Sequence, residues 1–344
     1  MGDDEFLSML KAHVARRDEP AGHSSRASLQ APLQSLSHSE AQKRGRTGMP
    51  SDESPADRGS KRCRHDGRAE CQERRCGLDS RAITCTLGSA RALPELLALQ
   101  RRHGDHFNNF HIGAFWSRFK ALARGELGGL SDRLAPVCEQ TVRMFPELGA
   151  RQVSNIAHAF AKARLVGNGP WESVWAALPE AVLRFLGDFE SQALSTTAWA
   201  FAKAAYASSE LFNAIAIEVV RRRLCDFKPQ HLSNTAWAFA TAGHATPELF
   251  NAISAEAVRR RLGDFNPQDL SNTTWAFATA GHATPELYDA ISAEAVRRRL
   301  GGFNPQDLTT TAWAFATAGH TSPELFNAIS AEAVRRRLGG FNPQ

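Results

Sequence analysis

The sequence predicts an all-α protein: an α-solenoid of tandem 38-residue antiparallel helix pairs, with a disordered N-terminal tail. The main observation is that Trp199, Trp237, Trp275 and Trp313 follow one another at intervals of 38 residues. A diverged copy precedes them, because VSNIAHAF at 153–160 matches the LSTTAWAF that contains Trp199. Self-similarity at such a period is typical of arrays in which each unit packs only on its neighbours.

The second observation is a pair of helix start and stop signals in every unit. In one representative unit, Asn266 is placed to cap a first helix, Pro267 suits its first position, and Gly281 suits the residue after its end. The Thr-Pro-Glu triplet at 284–286 repeats the start signal, and we expect the second helix to run to Leu300. A single such hairpin cannot bury its apolar faces, whereas stacked copies can.

Composition divides the chain into three segments. Residues 1–80 are rich in Arg and Ser and poor in aromatic residues, so they are predicted to be disordered. Residues 81–150 are predicted to form a diverged helical repeat, and 151–344 form the tandem repeats, which stop partway through a unit as if truncated. The net charge of +5 is spread thinly, and the absence of a long apolar run predicts no membrane partner.

The first helix of each unit is predicted to have two faces. At about 100° per residue, Leu270, Thr273, Thr274 and Phe277 share one stripe, which should pack on the second helix. A roughly opposite stripe carries two polar positions that vary between units, then a small Ala, then Thr or Lys. Short hydrogen-bonding side chains, space for a flat base and a cation for phosphate are what a protein that binds one base per repeat requires.

We therefore predict that this polar stripe contacts RNA, with the variable pair reading bases and the lysines holding phosphate. The alternative is that an exposed helix face is polar for solubility alone. The predicted RNA-contacting residues are Gln152, Asn155, Lys162, Thr196, Lys203, His231, Asn234, Thr241, Asp269, Asn272, Thr279, Asp307, Thr310 and Thr317.

Two other periodic features have competing interpretations. Trp237, Trp275 and Trp313 flank the polar stripe and are expected to pack between units, although they could also stack on bases. The Arg triplets, which begin at 221, 259, 297 and 335, could form a basic ridge for phosphate or supply favourable charge at helix C-termini.

The unit NPQDLSNTTWAFATAGHATPELYDAISAEAVRRRLGGF at 266–303 resembles the octotricopeptide repeats of algal organelle proteins. The stretch ARALPELLALQRRHGDHFNNFHIGAFWSRFKALAR at 90–124 is similar to the opening segment of RAP-domain and FAST-kinase-like proteins of mitochondria and plastids. Together the resemblances cover about 90–344. They imply single-stranded RNA binding in organellar transcript stability, rRNA processing or translation, together with other RNA-processing proteins; the RAP domain itself is not found in this sequence.

The main alternative is a scaffold for protein partners, although tetratricopeptide and ankyrin arrays have shorter periods. We expect no enzyme, cofactor or small-molecule substrate, because no Gly-rich phosphate loop, HExxH or GxSxG motif occurs. Cys63, Cys71, Cys76 and Cys85 are spaced too widely for a usual zinc site. The resemblance implies a mitochondrion or plastid; short basic clusters at 43–46 and 61–64 keep a nuclear or cytoplasmic location as the alternative.

Overall fold

A computed structural model describes residues 80–123, 129–206 and 208–336. In these ranges the chain forms α-helices and short 3₁₀ turns and no strand, which confirms the predicted all-α solenoid. The predicted tail, its basic clusters and Cys63, Cys71 and Cys76 lie outside the described residues. The helices are α1 Ser80–Ser89, α2 Leu93–His103, α3 Asn109–Leu122, α4 Ser131–Met144, α5 Ala150–Lys162, α6 Glu172–Phe185, α7 Ser191–Ala204, α8 Ser209–Arg221, α9 Pro229–Ala242, α10 Pro247–Arg259, α11 Pro267–Ala280, α12 Pro285–Arg297, α13 Pro305–Ala318 and α14 Pro323–Arg335.

The helices form two layers. Each odd-numbered helix packs along the next odd-numbered helix, and each even-numbered helix makes sparser contact with its even-numbered neighbours. The strict alternation follows from the repeat, since every unit contributes one helix to each layer. The segment 81–150 adds two pairs, α1 with α2 and α3 with α4, and α1 and α3 extend the odd layer.

Local capping sets the helix boundaries. The Asn266 side chain accepts a hydrogen bond from the Asp269 backbone N–H at 2.8 Å, and the Asp269 carboxylate accepts one from the Asn266 N–H at 3.2 Å. This reciprocal arrangement satisfies two backbone donors that the first turn of α11 leaves without partners. At the other end Gly281 has φ +68°, the left-handed conformation that glycine adopts without steric cost. Both predicted ends of α11 are therefore confirmed.

The second helix of the unit ends earlier than predicted. We expected it to reach Leu300, but α12 stops at Arg297. Arg299 and Leu300 take φ values of +50° and +53°, so the chain turns before Gly301 rather than at it. Leu300 is buried in this conformation, and burial of its side chain offsets the cost of a left-handed residue other than glycine.

The predicted core stripe is confirmed. Leu270, Thr273, Thr274 and Phe277 are all fully buried. The Phe277 ring lies 4.8 Å from that of Phe250, between centroids, so the first helix of one unit packs on the second helix of the preceding unit as well as on its own.

Arginines fasten each unit to the one before it. The Arg260 guanidinium donates to the Phe227 carbonyl at 2.7 Å and the Leu224 carbonyl at 2.6 Å, while its Nε donates to Glu256 at 2.5 Å. The middle arginines of the other triplets, Arg222, Arg298 and Arg336, make the same kind of bond to the chain that leads into their own unit. The middle arginine of a triplet is thus a structural tie.

Candidate nucleic-acid interface

One strip of each odd-numbered helix stays accessible after both layers have packed. On α11 the accessible strip consists of Gln268, Asn272, Trp275 and Thr279. These residues follow at intervals of four, three and four, which places them within about 60° of one another around the helix. We call the surface formed by these positions on consecutive odd-numbered helices the open face.

The open face carries four columns of side chains that run from helix to helix. The first column is polar at the helix N-terminal end, and the second holds short polar groups. The third is aromatic, and the fourth ends in Lys or Thr. From α5 to α13, the first column is Arg151, Gln192, Gln230, Gln268 and Gln306, and the second is Asn155, Thr196, Asn234, Asn272 and Thr310. In the same order, the third column is His158, Trp199, Trp237, Trp275 and Trp313, and the fourth is Lys162, Lys203, Thr241, Thr279 and Thr317.

The centre of the predicted polar stripe lies about 50° around the helix axis from the centre of this open face. Asp269 and Asp307 were expected to be accessible, but each side chain is only 5% exposed, and His231 is 8% exposed. The expectation failed because the odd-numbered helices pack on both of their odd-numbered neighbours, so residues to either side of a narrow strip are covered. The predicted space for a base is also absent, since Ala238 and Ala276 are fully buried between these helices.

The three buried residues have structural partners. Asp269 accepts a hydrogen bond from Ser233 Oγ of the preceding unit at 3.1 Å, and Asp307 accepts one from Ser271 Oγ at the same distance. His231 Nδ1 accepts from the Lys228 backbone N–H at 3.3 Å. These residues cap their own helices and join neighbouring units, which corrects the prediction that they contact RNA.

Burial also changes the electrostatics of these groups. It raises the pKa of the Asp269 carboxyl to about 6, despite the opposing hydrogen bonds from Asn266 and Ser233. It raises the pKa of Asp307 as well, and it lowers that of His231, with Lys228 adding to the effect. Each shift disfavours the charged form, as expected where water is excluded.

The other predicted residues keep some accessibility. Asn155, Thr196, Asn234, Asn272 and Thr310 are half-buried and line up in the second column. In the fourth column Lys162, Thr241 and Thr279 are exposed, and Lys203 and Thr317 are half-buried. Gln152 is half-buried and lies beside Gly113 of α3. The structure therefore brings eleven of the fourteen predicted residues to the open face or its edge and withdraws three from it.

Rings of the aromatic column contact one another across two boundaries between units. The Trp237 and Trp275 rings stack with centroids 6.2 Å apart and planes 29° from parallel, and His158 meets Trp199 edge-on at 5.5 Å. Trp199 and Trp237 are buried, which agrees with the predicted packing between units, whereas Trp275 and Trp313 are half-buried and stay partly accessible on the open face. The tryptophans therefore both join units and border the accessible strip.

Sequence reasoning missed the first column. Gln192 and Gln230 are exposed and Gln268 and Gln306 are half-buried, and Arg151 occupies the same position on α5. The available signal was spacing, because each of these residues lies four positions before the Asn or Thr of the second column and one turn away on the same face. The predicted polar stripe contains Asp269 and its equivalents instead, because it begins at the variable position three residues before that Asn or Thr.

The first arginine of each triplet is tied to a neighbouring acid. Arg259 pairs with Glu256 at 2.7 Å, and Arg221, Arg297 and Arg335 pair with Glu218, Glu294 and Glu332 in the same way. These arginines lie in the even layer, away from the open face. The first two arginines of each triplet therefore share one glutamate and stabilise helix ends and unit boundaries.

The recurring loop histidines have packing partners. His244 stacks on Phe212 with centroids 5.1 Å apart, and His282 lies 5.2 Å from Phe250. Among the residues that the structure describes, no group of three or more His, Cys, Asp or Glu is placed to hold a metal ion, and no helix is long and apolar enough to cross a membrane.

The chain also matches a known protein family. The sequence model described as RNA-editing substrate-binding complex 6 protein, RESC6, matches residues 133–336, which span α4 to α14. No curated protein matches the chain. The match supports the coarser expectation of a helical-repeat protein from an RNA-handling family, and it does not name octotricopeptide, RAP-domain or FAST-kinase-like proteins.

Proposed function

The chain belongs to the RESC6 family, described as RNA-editing substrate-binding complex 6 protein, and from that premise we propose that it binds single-stranded RNA on its open face. The single observation that carries the proposal is the alignment of amides, aromatic rings and lysines in columns on consecutive odd-numbered helices. A single strand can offer base edges to the amides and base faces to the tryptophans, whereas an A-form duplex buries its base faces.

The contact at each unit is proposed to use the first two columns. Gln268 and Asn272 lie one turn apart on α11, and both carry an amide that can donate and accept. This pair replaces the predicted pair of Asp269 and Asn272, because Asp269 is engaged in capping. Since the Gln column is invariant from α7 to α13 and the second column offers only Asn or Thr, discrimination between bases is expected to be weak.

The test is a binding measurement with a matched pair of variants. Fluorescence anisotropy with labelled single-stranded RNA should show weaker binding for N234A/N272A than for the wild type, because two amides of the second column are lost. The control is N213A/N251A, which removes two exposed asparagines from α8 and α10 in the even layer. Equal losses in the two double variants, or no binding by the wild type, would refute the open face as the RNA site.

We propose a binding protein rather than an enzyme, acting in an organelle and without a cofactor. The proposed compartment, a mitochondrion or plastid, follows from the resemblances described above. Fractionation of cells that express the full-length natural protein, followed by detection in purified organelles, tests this part independently of RNA binding.

A second candidate function is a scaffold for protein partners, and it concerns the other layer. Ile217 of α8 is 69% exposed and Val220 is 41% exposed, whereas Ala255 occupies the position of Ile217 in α10. Ile217 and Val220 lie three residues apart on one helix face, so they form a small contiguous aliphatic patch, and such patches are where protein partners bind. Crosslinking from position 217, compared with position 255, tests for a partner at this layer.

A further inference from the structure

Positive charge on the open face is confined to one part of the array. Lys162 ends α5, Arg164 follows it by two residues, and Lys203 occupies the equivalent of Lys162 on the adjacent helix α7. In α9, α11 and α13 the same column holds threonine. We call Lys162, Arg164 and Lys203 the cation cluster.

The cation cluster has no acidic partner in the part of the chain that the structure describes. Within residues 80–123, 129–206 and 208–336, none of its three members forms an ion pair with a carboxylate. The arginines of the even layer differ, because Arg221 and Arg259 each pair with a glutamate three residues earlier. The first two arginines of a triplet therefore share a carboxylate, whereas the three cations of the cluster have none within the described residues.

The charges of the cluster influence one another. Partial burial and the proximity of Arg164 both lower the pKa of the Lys203 ammonium. Burial lowers the pKa of His158 to about 3, and Lys120 and Lys162 add to that effect, so this imidazole is neutral at physiological pH. The Nδ1 atom of neutral His158 accepts a hydrogen bond from Lys120 Nζ at 3.3 Å, and the His158 ring meets that of Trp199 edge-on. Like charges held together in this way reduce stability unless an anion joins them.

Helix stabilisation does not account for the cluster. A cation in the last turn of a helix is favourable, which describes Lys162 and Lys203. However, α9, α11 and α13 end without any basic residue in their last turn. Arg164 lies beyond the end of α5 with φ +56° and is exposed, so it is not needed for helix C-terminal charge.

We infer that the cation cluster is a phosphate-binding site that anchors one part of the RNA strand, while the later units contact bases with little charge. The inference rests on the proposed RNA function and adds a division of labour along the array. The guanidinium and ammonium groups of the cluster can bind a phosphate, and the base next to that phosphate can then reach the aromatic side chains of the third column. The strand is then fixed at α5 and α7 and passes over α9 to α13 through weaker, neutral contacts.

The experiment is a salt titration of RNA binding by the full chain, with labelled oligouridine as the probe. For single strands the slope of log affinity against log salt changes by about 0.7 for each phosphate contact. The double variant K162M/K203M should therefore flatten the slope by about 1.4 relative to the wild type. The matched control R143M/R184M removes two exposed arginines of the even layer and should leave the slope unchanged.

The outcomes separate the two claims. Binding by K162M/K203M with the wild-type slope overturns the phosphate site and leaves the proposed function intact, whereas no binding by the wild type refutes the proposed function itself. A flattened slope in both double variants also overturns the site, since it would reflect net charge alone. Comparing oligouridine with and without a 5′-phosphate then shows which phosphate the cluster binds. If the 5′-phosphate raises the affinity of the wild type and not that of K162M/K203M, the cluster binds a strand end. If the two oligouridines bind with equal affinity, the cluster binds the internal backbone.

Discussion

Replacing Arg260 by methionine should uncouple two units, whereas replacing its neighbour Arg259 should not. Arg260 links two units: its side chain is 13% exposed, and it donates hydrogen bonds to two carbonyls at 2.7 and 2.6 Å in the chain that leads into its unit. Arg259 is 63% exposed and bonds only to Glu256 on its own helix. The two variants remove the same charge from adjacent positions and differ only in which hydrogen bonds they eliminate.

The magnitude follows from those hydrogen bonds. A hydrogen bond from a charged group contributes about 1.5–3 kcal/mol, and each carbonyl left in the boundary without a donor adds to the loss of stability. Glu256 keeps its two bonds to Arg259 in the variant, which limits the damage at that carboxylate. The two bonds to carbonyls together set the scale, so we expect R260M to lower the free energy of unfolding by about 3–6 kcal/mol. The decrease in R259M should be much smaller, because water screens an exposed pair.

The assay is urea unfolding followed by far-UV circular dichroism and tryptophan fluorescence. In a repeat array the boundary terms couple the units, so R260M should also broaden the transition. R260K refines the test, because lysine keeps the charge beside Glu256 but cannot reproduce the planar arrangement that reaches both carbonyls. Equal destabilisation by R259M and R260M, or full recovery in R260K, would refute the assignment of Arg260 as a tie between units.

Three further predictions concern the open face and its borders. Trp275→Leu should weaken binding of single-stranded RNA by about 1–3 kcal/mol, because the variant loses the ring on which a base is proposed to stack. An affinity that the substitution leaves unchanged in fluorescence anisotropy would exclude that contact. Asp269→Asn should reduce a pH dependence: the pKa of Asp269 lies near 6 in the folded protein and at 3.8 when unperturbed, so the wild type loses stability as pH rises from about 4 to about 6. Thermal melts of the variant across this range should show a smaller loss, with the remainder due to Asp307, whose pKa burial also raises; a loss equal to that of the wild type would contradict the burial of Asp269. Gly281→Ala should cost about 1 kcal/mol because φ is +68°, and a thermal melt showing a gain in stability would contradict the left-handed turn.

The sequence by itself determined the helices and their ends. Asn266, Pro267 and Gly281 act through bonds and dihedral preferences within a few residues, so the bounds of α11 could be predicted without tertiary information. The core stripe of Leu270 and Phe277 was equally predictable, because hydrophobic periodicity depends only on helix geometry. Where the local signal was weaker, as at Arg299 and Leu300, the predicted end of the helix was wrong by three residues.

Only the tertiary structure decided which polar residues remain accessible. Gln268 and Asp269 are adjacent and both polar, and periodicity alone does not say which of them a neighbouring helix covers. Packing on both sides of each odd-numbered helix buries Asp269 and leaves Gln268 on the open face. Tertiary packing likewise decided the roles of the middle arginine and the cation cluster. Arg260 differs from Arg259 in the carbonyls that another segment places beside it. Arg164 approaches Lys203 because α5 packs on α7. Such contacts join residues that are distant in sequence, so they arise from the way the units stack and not from the pattern within any one unit.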